Sequence, residues 1–245
     1  MSIGRRRWLV ASLLLAALTA AAIGLAGLIR TAPAALPARP LAARSALLLL
    51  TSLPLVFGEN FTLGGGGSPA LTRLEQRYNV KPIALTDGPS LASFRLLLMA
   101  HPRAQTAAAL VDLDYWVRQG GRVLLLADPA LDWPSARPFG DPLRPPPGFA
   151  DTGLLGHWGV TLEAPAERGA AKARLDGRAL ILSSPGLLAS RSCEIAAAGL
   201  VARCAIGRGK ATIIADADLL SPELSGDGEQ QNLDAVVAEL DRLER

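Results

Sequence analysis

Three nearly continuous apolar runs of strand length, two of them with an arginine at or next to the start, constrain the fold more than any other feature of the sequence. They occupy residues 46–51, 94–100 and 122–127, and a fourth run follows at 210–215. None of them alternates between apolar and polar residues, as a strand with one solvated face does. Strands of this kind are buried on both faces, which is typical of a parallel sheet covered by helices on each side.

Helical patterns separate these runs. Ser68 followed by Pro69 is a typical helix start and predicts a helix from there to about Tyr78. Residues 104–119 and 230–243 each carry apolar side chains at helical spacing. Strands and helices that alternate through short connections predict an α/β fold. We therefore expect a doubly wound, mostly parallel sheet in one domain at 45–245.

The second half of this domain breaks the alternation. Residues 129–148, here called the excursion, are rich in proline and glycine and predict a long irregular segment. A short helix is expected at 153–158. Asp176-Gly177 stands between two strand-like segments, which is a strong signal for a β-hairpin. An added hairpin region should therefore precede the last strand.

The two cysteines predict a second hairpin. A two-residue turn at Ala198-Gly199 would set Cys193 directly opposite Cys204, and an oxidising compartment would let the pair close as a disulfide. In this register the pair falls at a hydrogen-bonded site, where the strands are farther apart. The alternative is two buried free thiols.

A segment of 22 residues without charge, 8–29, is long enough to cross a membrane as a helix. Arg5, Arg6 and Arg7 precede it, so residues 1–7 should stay cytoplasmic and the rest should be exported. We expect a single-pass protein of the bacterial inner membrane, held in lipid by Trp8 to Ile29. Residues 30–44 would form a Pro- and Ala-rich spacer, and 45–245 a periplasmic domain. A cleavable signal peptide is the alternative.

The charge distribution argues against nucleic acid as a partner. The formal net charge is +3, but six basic residues lie before Glu59, which is the first acid of the chain. From Glu59 onward the chain has 19 Lys and Arg and 22 Asp and Glu, so this part is slightly acidic. Aromatic residues are only 4% of the sequence, whereas a nucleic-acid surface combines a basic face with stacking rings.

The familiar catalytic and cofactor motifs are incomplete. Ser68 lies in a near match to a nucleophile elbow that ends in Ala70 where the motif needs glycine. Residues 204–211 resemble a phosphate-binding loop without its first glycine and without the hydroxyl that holds magnesium. Two histidines and two distant cysteines do not make a zinc site. We expect neither a cofactor nor a metal.

One candidate site follows from strand geometry. In open α/β sheets, ligands bind outside the carboxyl ends of the parallel strands. The acids and the histidine that follow the predicted strands are Glu59, His101, Asp128, Asp216 and Asp218. We expect them to converge as a ligand-binding edge. The alternative is that Asp128 and Asp216 only cap loops by accepting nearby backbone N–H groups.

Four segments, 46–55, 94–102, 111–129 and 207–220, resemble the auxiliary component of an ABC-transporter family typified by GldG-like proteins, and a related domain of unknown function. The resemblance implies a fold similar to class I glutamine amidotransferases, and an ABC permease and its ATPase as partners. In that fold a nucleophilic cysteine follows the central strand. Residues 98–102 hold His101 there and no cysteine, so covalent amidotransfer is not expected.

Three functions remain open from the sequence. The first is a membrane-anchored periplasmic accessory or ligand-binding component of an ABC-type transport system that catalyses no reaction. The second is a periplasmic hydrolase that uses His101 with Asp128 or Asp216 as an acid–base pair. The third is an envelope scaffold that docks a partner through the excursion around Trp133.

Overall fold

The computed structural model describes residues 33–59 and 67–245. The predicted cytoplasmic tail and membrane span, 1–7 and 8–29, lie outside the described residues. Within the described part of the chain, no helix is both long and apolar enough to cross a membrane. The chain divides into two compact units, Met1–Ala34 and Ala35–Arg245, and the second contains every element below.

The second unit is an α/β fold. Its strands are β1 Ser45–Thr51, β2 Tyr78–Pro82, β3 Leu96–Ala100, β4 Arg122–Leu126, β5 Val160–Glu163, β6 Ala170–Leu175, β7 Arg178–Ser183, β8 Leu187–Ser190, β9 Glu194–Ala196, β10 Val201–Ile206 and β11 Gly209–Ile214. Its α-helices are α1 Pro69–Glu75, α2 Gly88–Leu91, α3 Ala107–Arg118, α4 Leu154–His157, α5 Pro222–Ser225 and α6 Glu229–Glu244.

The main sheet has seven strands in the order β2-β1-β3-β4-β11-β10-β9. The first five are parallel, whereas β10 and β9 run antiparallel to their neighbours. The five parallel strands follow the order of flavodoxin-like doubly wound sheets, with the change of direction between β1 and β3. The predicted mostly parallel α/β sheet is confirmed.

Two apolar layers cover the sheet, one on each face. Leu47 and Leu49 of β1 point into a layer completed by α1, α6 and the β6–β7 hairpin. Leu48 and Leu50 point into the opposite layer, which α2, α3, α4, β5 and β8 complete. Because successive side chains of a strand point to opposite faces, both layers together require an unbroken apolar run. This is the physical origin of the pattern in the sequence.

The predicted helix after Ser68 has the expected start but ends earlier. The Ser68 hydroxyl accepts the N–H of Leu71 at 3.1 Å, as an N-cap does. The helix ends at Glu75, and Tyr78 begins the edge strand β2 instead. Ile83 donates its N–H to Leu49 in β1, so the alternation along the strand points the nitrogen of Pro82 away from the sheet. An edge strand tolerates proline there because no ladder bond is lost.

The segment before β1 lies against the domain rather than standing clear of it. The guanidinium of Arg73 donates to the carbonyl of Leu36 at 2.7 Å, and the N–H of Arg39 donates to Gln76 at 2.9 Å. Arg39 also pairs with Asp241 of α6 at 2.8 Å. The last part of the predicted spacer therefore belongs to the folded unit.

Both predicted hairpins form. Asp176 and Gly177 have φ of 48° and 86°, as a type I′ turn requires, and Leu175 pairs with Arg178. The predicted disulfide between Cys193 and Cys204 is present. Its turn is longer than the two residues expected, because the β9–β10 pairing stops at Ala196 and Val201. The Cα atoms of the two cysteines are only 4.5 Å apart, which is the spacing of a non-hydrogen-bonded pair. The wider spacing expected for a hydrogen-bonded site was therefore wrong.

Candidate functional site

Three of the predicted site residues meet at the carboxyl edge of the sheet. Asp128 follows β4, Asp216 and Asp218 follow β11, and these two strands are neighbours. All three side chains are buried. The carboxylate of Asp128 accepts the N–H groups of Ala130 and Ala217, each at 2.9 Å. Both oxygens of Asp128 are therefore used to hold the loops that follow β4 and β11.

Asp216 has the same capping role. Its two oxygens accept the N–H groups of Leu219 at 2.8 Å and Ser183 at 3.1 Å. The first bond closes the turn after β11, and the second ties that turn to β7. For Asp128 and Asp216, the geometry is therefore that of loop caps.

Asp218 has one oxygen in use and one without a partner. Its Oδ2 accepts the N–H of Asp132 at 2.7 Å, whereas its Oδ1 is buried and makes no hydrogen bond to a described residue. Asp132 was not predicted from the sequence. It accepts the hydroxyls of Ser183 at 2.8 Å and Ser184 at 2.5 Å, and pairs with Arg168 at 2.5 Å. Four carboxylates thus share this part of the edge.

Burial sets the protonation of this acid cluster. It raises the pKa of Asp128 to about 6 and that of Asp218 to about 7, against the backbone hydrogen bonds that favour the charged forms. Burial, followed by the charge of Asp128, raises the pKa of Asp216 well above its ordinary value. Asp132 differs. Burial would raise its pKa, but hydrogen bonds from Ser184, Arg168 and Ser183 lower it below the ordinary value.

His101 is buried and has no carboxylate partner in the described part of the chain. It directly follows β3 with φ of 47°, a left-handed conformation that is uncommon for a residue other than glycine. Its ring Nε2 donates to the carbonyl of Pro146 at 2.9 Å, and its Nδ1 is buried without a partner among residues 33–59 and 67–245. Burial lowers the pKa of His101. The ring is held neutral under the excursion, and the acid–base pair proposed with Asp128 or Asp216 is not formed.

Glu59, which follows β1, forms hydrogen bonds with the excursion. Its Oε2 accepts the N–H of Ala136 at 3.0 Å, and its carbonyl accepts Nη2 of Arg137 at 3.0 Å. Arg103, just after His101, donates to the carbonyls of Pro142 and Arg144, both at 2.6 Å. Side chains that follow β1 and β3 therefore hold the excursion across the carboxyl edge.

A cavity of about 470 Å³ opens between β1, β2 and the excursion. Its walls are mostly apolar and include Leu53, Val56, Phe57, Ile83 and Leu143. The hydroxyl groups of its floor are already satisfied, whereas Oε1 of Glu59, which also lines the cavity, is buried without a hydrogen-bond partner among the described residues. The Thr51 hydroxyl donates to Ala100 at 3.0 Å, and the Ser52 hydroxyl donates to the carbonyl of His101. The cavity therefore offers mainly apolar contact, with the Glu59 carboxylate and Arg137 as its charged groups.

The predicted residues thus divide into two groups. Asp128, Asp216 and Asp218 form one buried cluster, whereas Glu59 and His101 contact the excursion instead. Among the described residues, no group of three or more His, Cys, Asp or Glu side chains is arranged to hold a metal ion.

These features define the class: an open, mostly parallel α/β domain whose candidate site is the carboxyl edge of the sheet. Residues 49–166 match the auxiliary-component family described as "ABC-type uncharacterized transport system". The match covers a little under half of the chain and supports the ABC-auxiliary part of the resemblance. The GldG-like and amidotransferase-like parts stay expectations. A comparison with curated proteins gives no match.

Solved structures share the fold at low identity. The N-terminal domain of mmIFT52 is 14% identical with a TM-score of 0.52, over 80% of this chain and 97% of that chain. Cytoplasmic Protein STM3548 from Salmonella typhimurium is 11% identical with a TM-score of 0.52, over 80% and 98%. Exo-beta-1,4-mannosidase Op5Man5 from Opitutaceae bacterium strain TAV5 is 14% identical with a TM-score of 0.51, over 80% of this chain but 36% of that chain. At such identities the likeness concerns the fold alone.

Proposed function

We propose that this protein is a membrane-anchored, periplasmic accessory component of an ABC-type transport system, and that it binds a partner or ligand at the carboxyl edge without catalysing a reaction. The permease and ATPase of that system are its proposed partners. The observation that carries the proposal is the overlap between the family match and the cavity. Every residue that lines the 470 Å³ cavity lies between Leu49 and Leu143, inside the matched segment 49–166.

The chemistry of the edge supports binding over catalysis. A general acid–base pair needs a titrating group within hydrogen-bond reach of its partner. His101 instead donates to a backbone carbonyl, and both oxygens of Asp128 accept backbone N–H groups. Some apolar side chains that line the cavity are exposed to solvent, and Leu143 is 66% exposed. An exposed apolar patch around a cavity is typical of an interaction site.

Two features support the periplasmic, anchored placement. The uncharged segment 8–29 follows three arginines, which is the charge pattern of a helix with a cytoplasmic N-terminus. The bond between Cys193 and Cys204 is of a kind that persists in oxidising compartments.

Co-purification from gently solubilised membranes tests the proposal. We expect mass spectrometry to find a permease and its ATPase with the full-length protein. Leu143→Asp should reduce their recovery at least about fivefold, because it puts a charge into an apolar contact. Val111→Asp is the matched control, since Val111 is 67% exposed and lies on the outer face of α3.

Two results would contradict the proposal. If the protein is recovered without transporter subunits, the accessory role is wrong. If Leu143→Asp and Val111→Asp retain the subunits equally, the cavity is not the docking surface.

A further inference from the structure

A second cavity, of about 300 Å³, lies within the excursion and is distinct from the first. Its walls include two aromatic rings, two prolines and two arginines, which are Trp133, Phe139, Pro145, Pro147, Arg144 and Arg168. Leu131 and the carboxylate of Asp132, which pairs with Arg168, complete the lining and leave one of the two positive charges unpaired within the described part of the chain. This volume is at the lower end of the range for small-molecule sites. The residue types are unusual together, because two guanidinium groups and two aromatic rings face one small space.

One nitrogen of the Arg168 guanidinium is held by hydrogen bonds, and the other two are open. Its Nη2 donates to the carbonyls of Ala130 and Leu131 at 3.0 and 3.1 Å, and to the carboxylate of Asp132 at 2.5 Å. Its Nε and Nη1 make no hydrogen bond to a described residue. The side chain is 57% exposed, so these donors can reach a ligand.

Arg144 is fixed in a similar way. Its Nη1 donates to the carbonyl of Arg137, and its guanidinium lies over the ring of Phe139 at 4.2 Å from the centroid. Its Nε and Nη2 have no hydrogen-bond partner among the described residues. Two guanidinium groups that are held in place and keep free donors provide a preorganised site for a carboxylate.

The rings supply the apolar half of the site. Phe139 is 83% exposed, which is unusual for a large apolar side chain. Trp133 is partly buried against the apolar core, so its position is fixed. Pro145 and Pro147 add walls whose backbone φ is restricted before any ligand arrives. A flat ring can stack on such walls, whereas a bare anion would leave them in water.

We propose that this cavity binds a small molecule in which a ring carries a carboxylate. The carboxylate contacts the open donors of Arg144 and Arg168, and the ring lies against Phe139 and Trp133. Both an aromatic acid and a sugar acid have this chemistry. The assignment concerns a different cavity from the proposed docking surface and does not depend on the accessory role.

Calorimetric titration of the full-length protein in detergent tests the proposal with matched probes. Benzoate is compared with benzyl alcohol, glucuronate with glucose, and both acids with acetate, which has no ring. We expect at least one ring acid to bind about tenfold more tightly than both its neutral counterpart and acetate, because carboxylate pairing and stacking each contribute. The pair that responds identifies the ring type.

Three variants locate the binding. Arg144→Gln and Phe139→Ala should each weaken the ring acid about tenfold, and Phe139 is too exposed for its loss to unfold the domain. Arg174→Gln, at an exposed arginine in the β6–β7 hairpin, should change nothing. If neither acid binds, if a neutral probe or acetate binds equally well, or if Phe139→Ala leaves binding unchanged, the proposal is wrong.

Discussion

Asp218 has one buried carboxylate oxygen without a hydrogen-bond partner among the described residues. The pKa of Asp218 is raised to about 7, so folding favours its protonated form. The stability that the fold gains from protonated Asp218 is complete below about pH 4, where an aspartate is protonated in the unfolded chain as well. It falls as the pH rises above this value and is lost once the pH passes about 7. At pH 8 the folded protein therefore carries the cost of a buried charge.

Replacing Asp218 with asparagine should stabilise the protein at alkaline pH. Asparagine keeps the one acceptor used, toward the N–H of Asp132, and removes the charge. We expect Asp218→Asn to raise the free energy of unfolding by about 4 kcal/mol at pH 8 but by only about 1.5 kcal/mol at pH 5, where most of the contribution from the protonated form is still present. Denaturant unfolding of the full-length protein at both pH values measures this.

Asp128→Asn is the control for this change. Both oxygens of Asp128 accept backbone N–H groups, so an amide NH₂ would face either Ala130 or Ala217. We expect a loss of about 1 to 3 kcal/mol at pH 5. Because the pKa of Asp128 is also raised, to about 6, this loss should be about 1 kcal/mol smaller at pH 8, a smaller pH difference than for Asp218→Asn. An Asp218→Asn effect of the same size at pH 5 and pH 8 would refute the ionisation argument.

At the scale of elements, the disulfide fastens the edge strand β9 to β10. Cys193 and Cys204 are 11 residues apart, so the bond closes a short loop in the unfolded chain. Replacing both cysteines with serine should lower the free energy of unfolding by about 2 to 3 kcal/mol.

Unfolding under oxidising and reducing conditions tests this prediction. A reductant should destabilise the native protein by the same amount and leave the double serine variant unchanged. Thiol labelling of protein taken directly from cells gives a second readout. Free thiols there would contradict the periplasmic placement.

The sequence predicted the elements that have a strong periodicity. The four apolar runs became β1, β3, β4 and β11 because burial on both faces requires such runs. Strand β2 was missed, since it has five residues, only partial burial and a proline at its end. β5 and β8 were missed as well, because each has only four residues. Short strands leave too few side chains to establish a period.

The candidate site was predictable only where strand ends determine it. Asp128, Asp216 and Asp218 lie together because β4 and β11 are neighbours. The partners of Glu59 and His101 are backbone groups of the excursion, at Ala136 and Pro146, which no side-chain pattern encodes. Asp132 was missed for a similar reason, since Ser183 and Ser184 reach it from about 50 residues away.

At the scale of the whole molecule, the segment before β1 contributes to stability. Leu36 packs against the core, Arg39 pairs with Asp241 and Glu244, and Arg73 donates to the carbonyl of Leu36. We expect a chain starting at Ser45 to unfold about 5 °C below one starting at Ala35, which corresponds to a loss of about 2 kcal/mol. Thermal unfolding of the two chains measures this, and equal midpoints would show that the segment is dispensable.

The position of β11 has a consequence for folding. Lys210 of β11 pairs with Arg122 of β4, so β11 must insert beside a strand that is synthesised much earlier. Contacts between residues so distant along the chain form slowly, because a long loop must close first. Until then β4 has an open apolar edge, and such an edge can pair with another chain. We therefore expect the growing polypeptide to be most prone to aggregation before residue 209 has emerged.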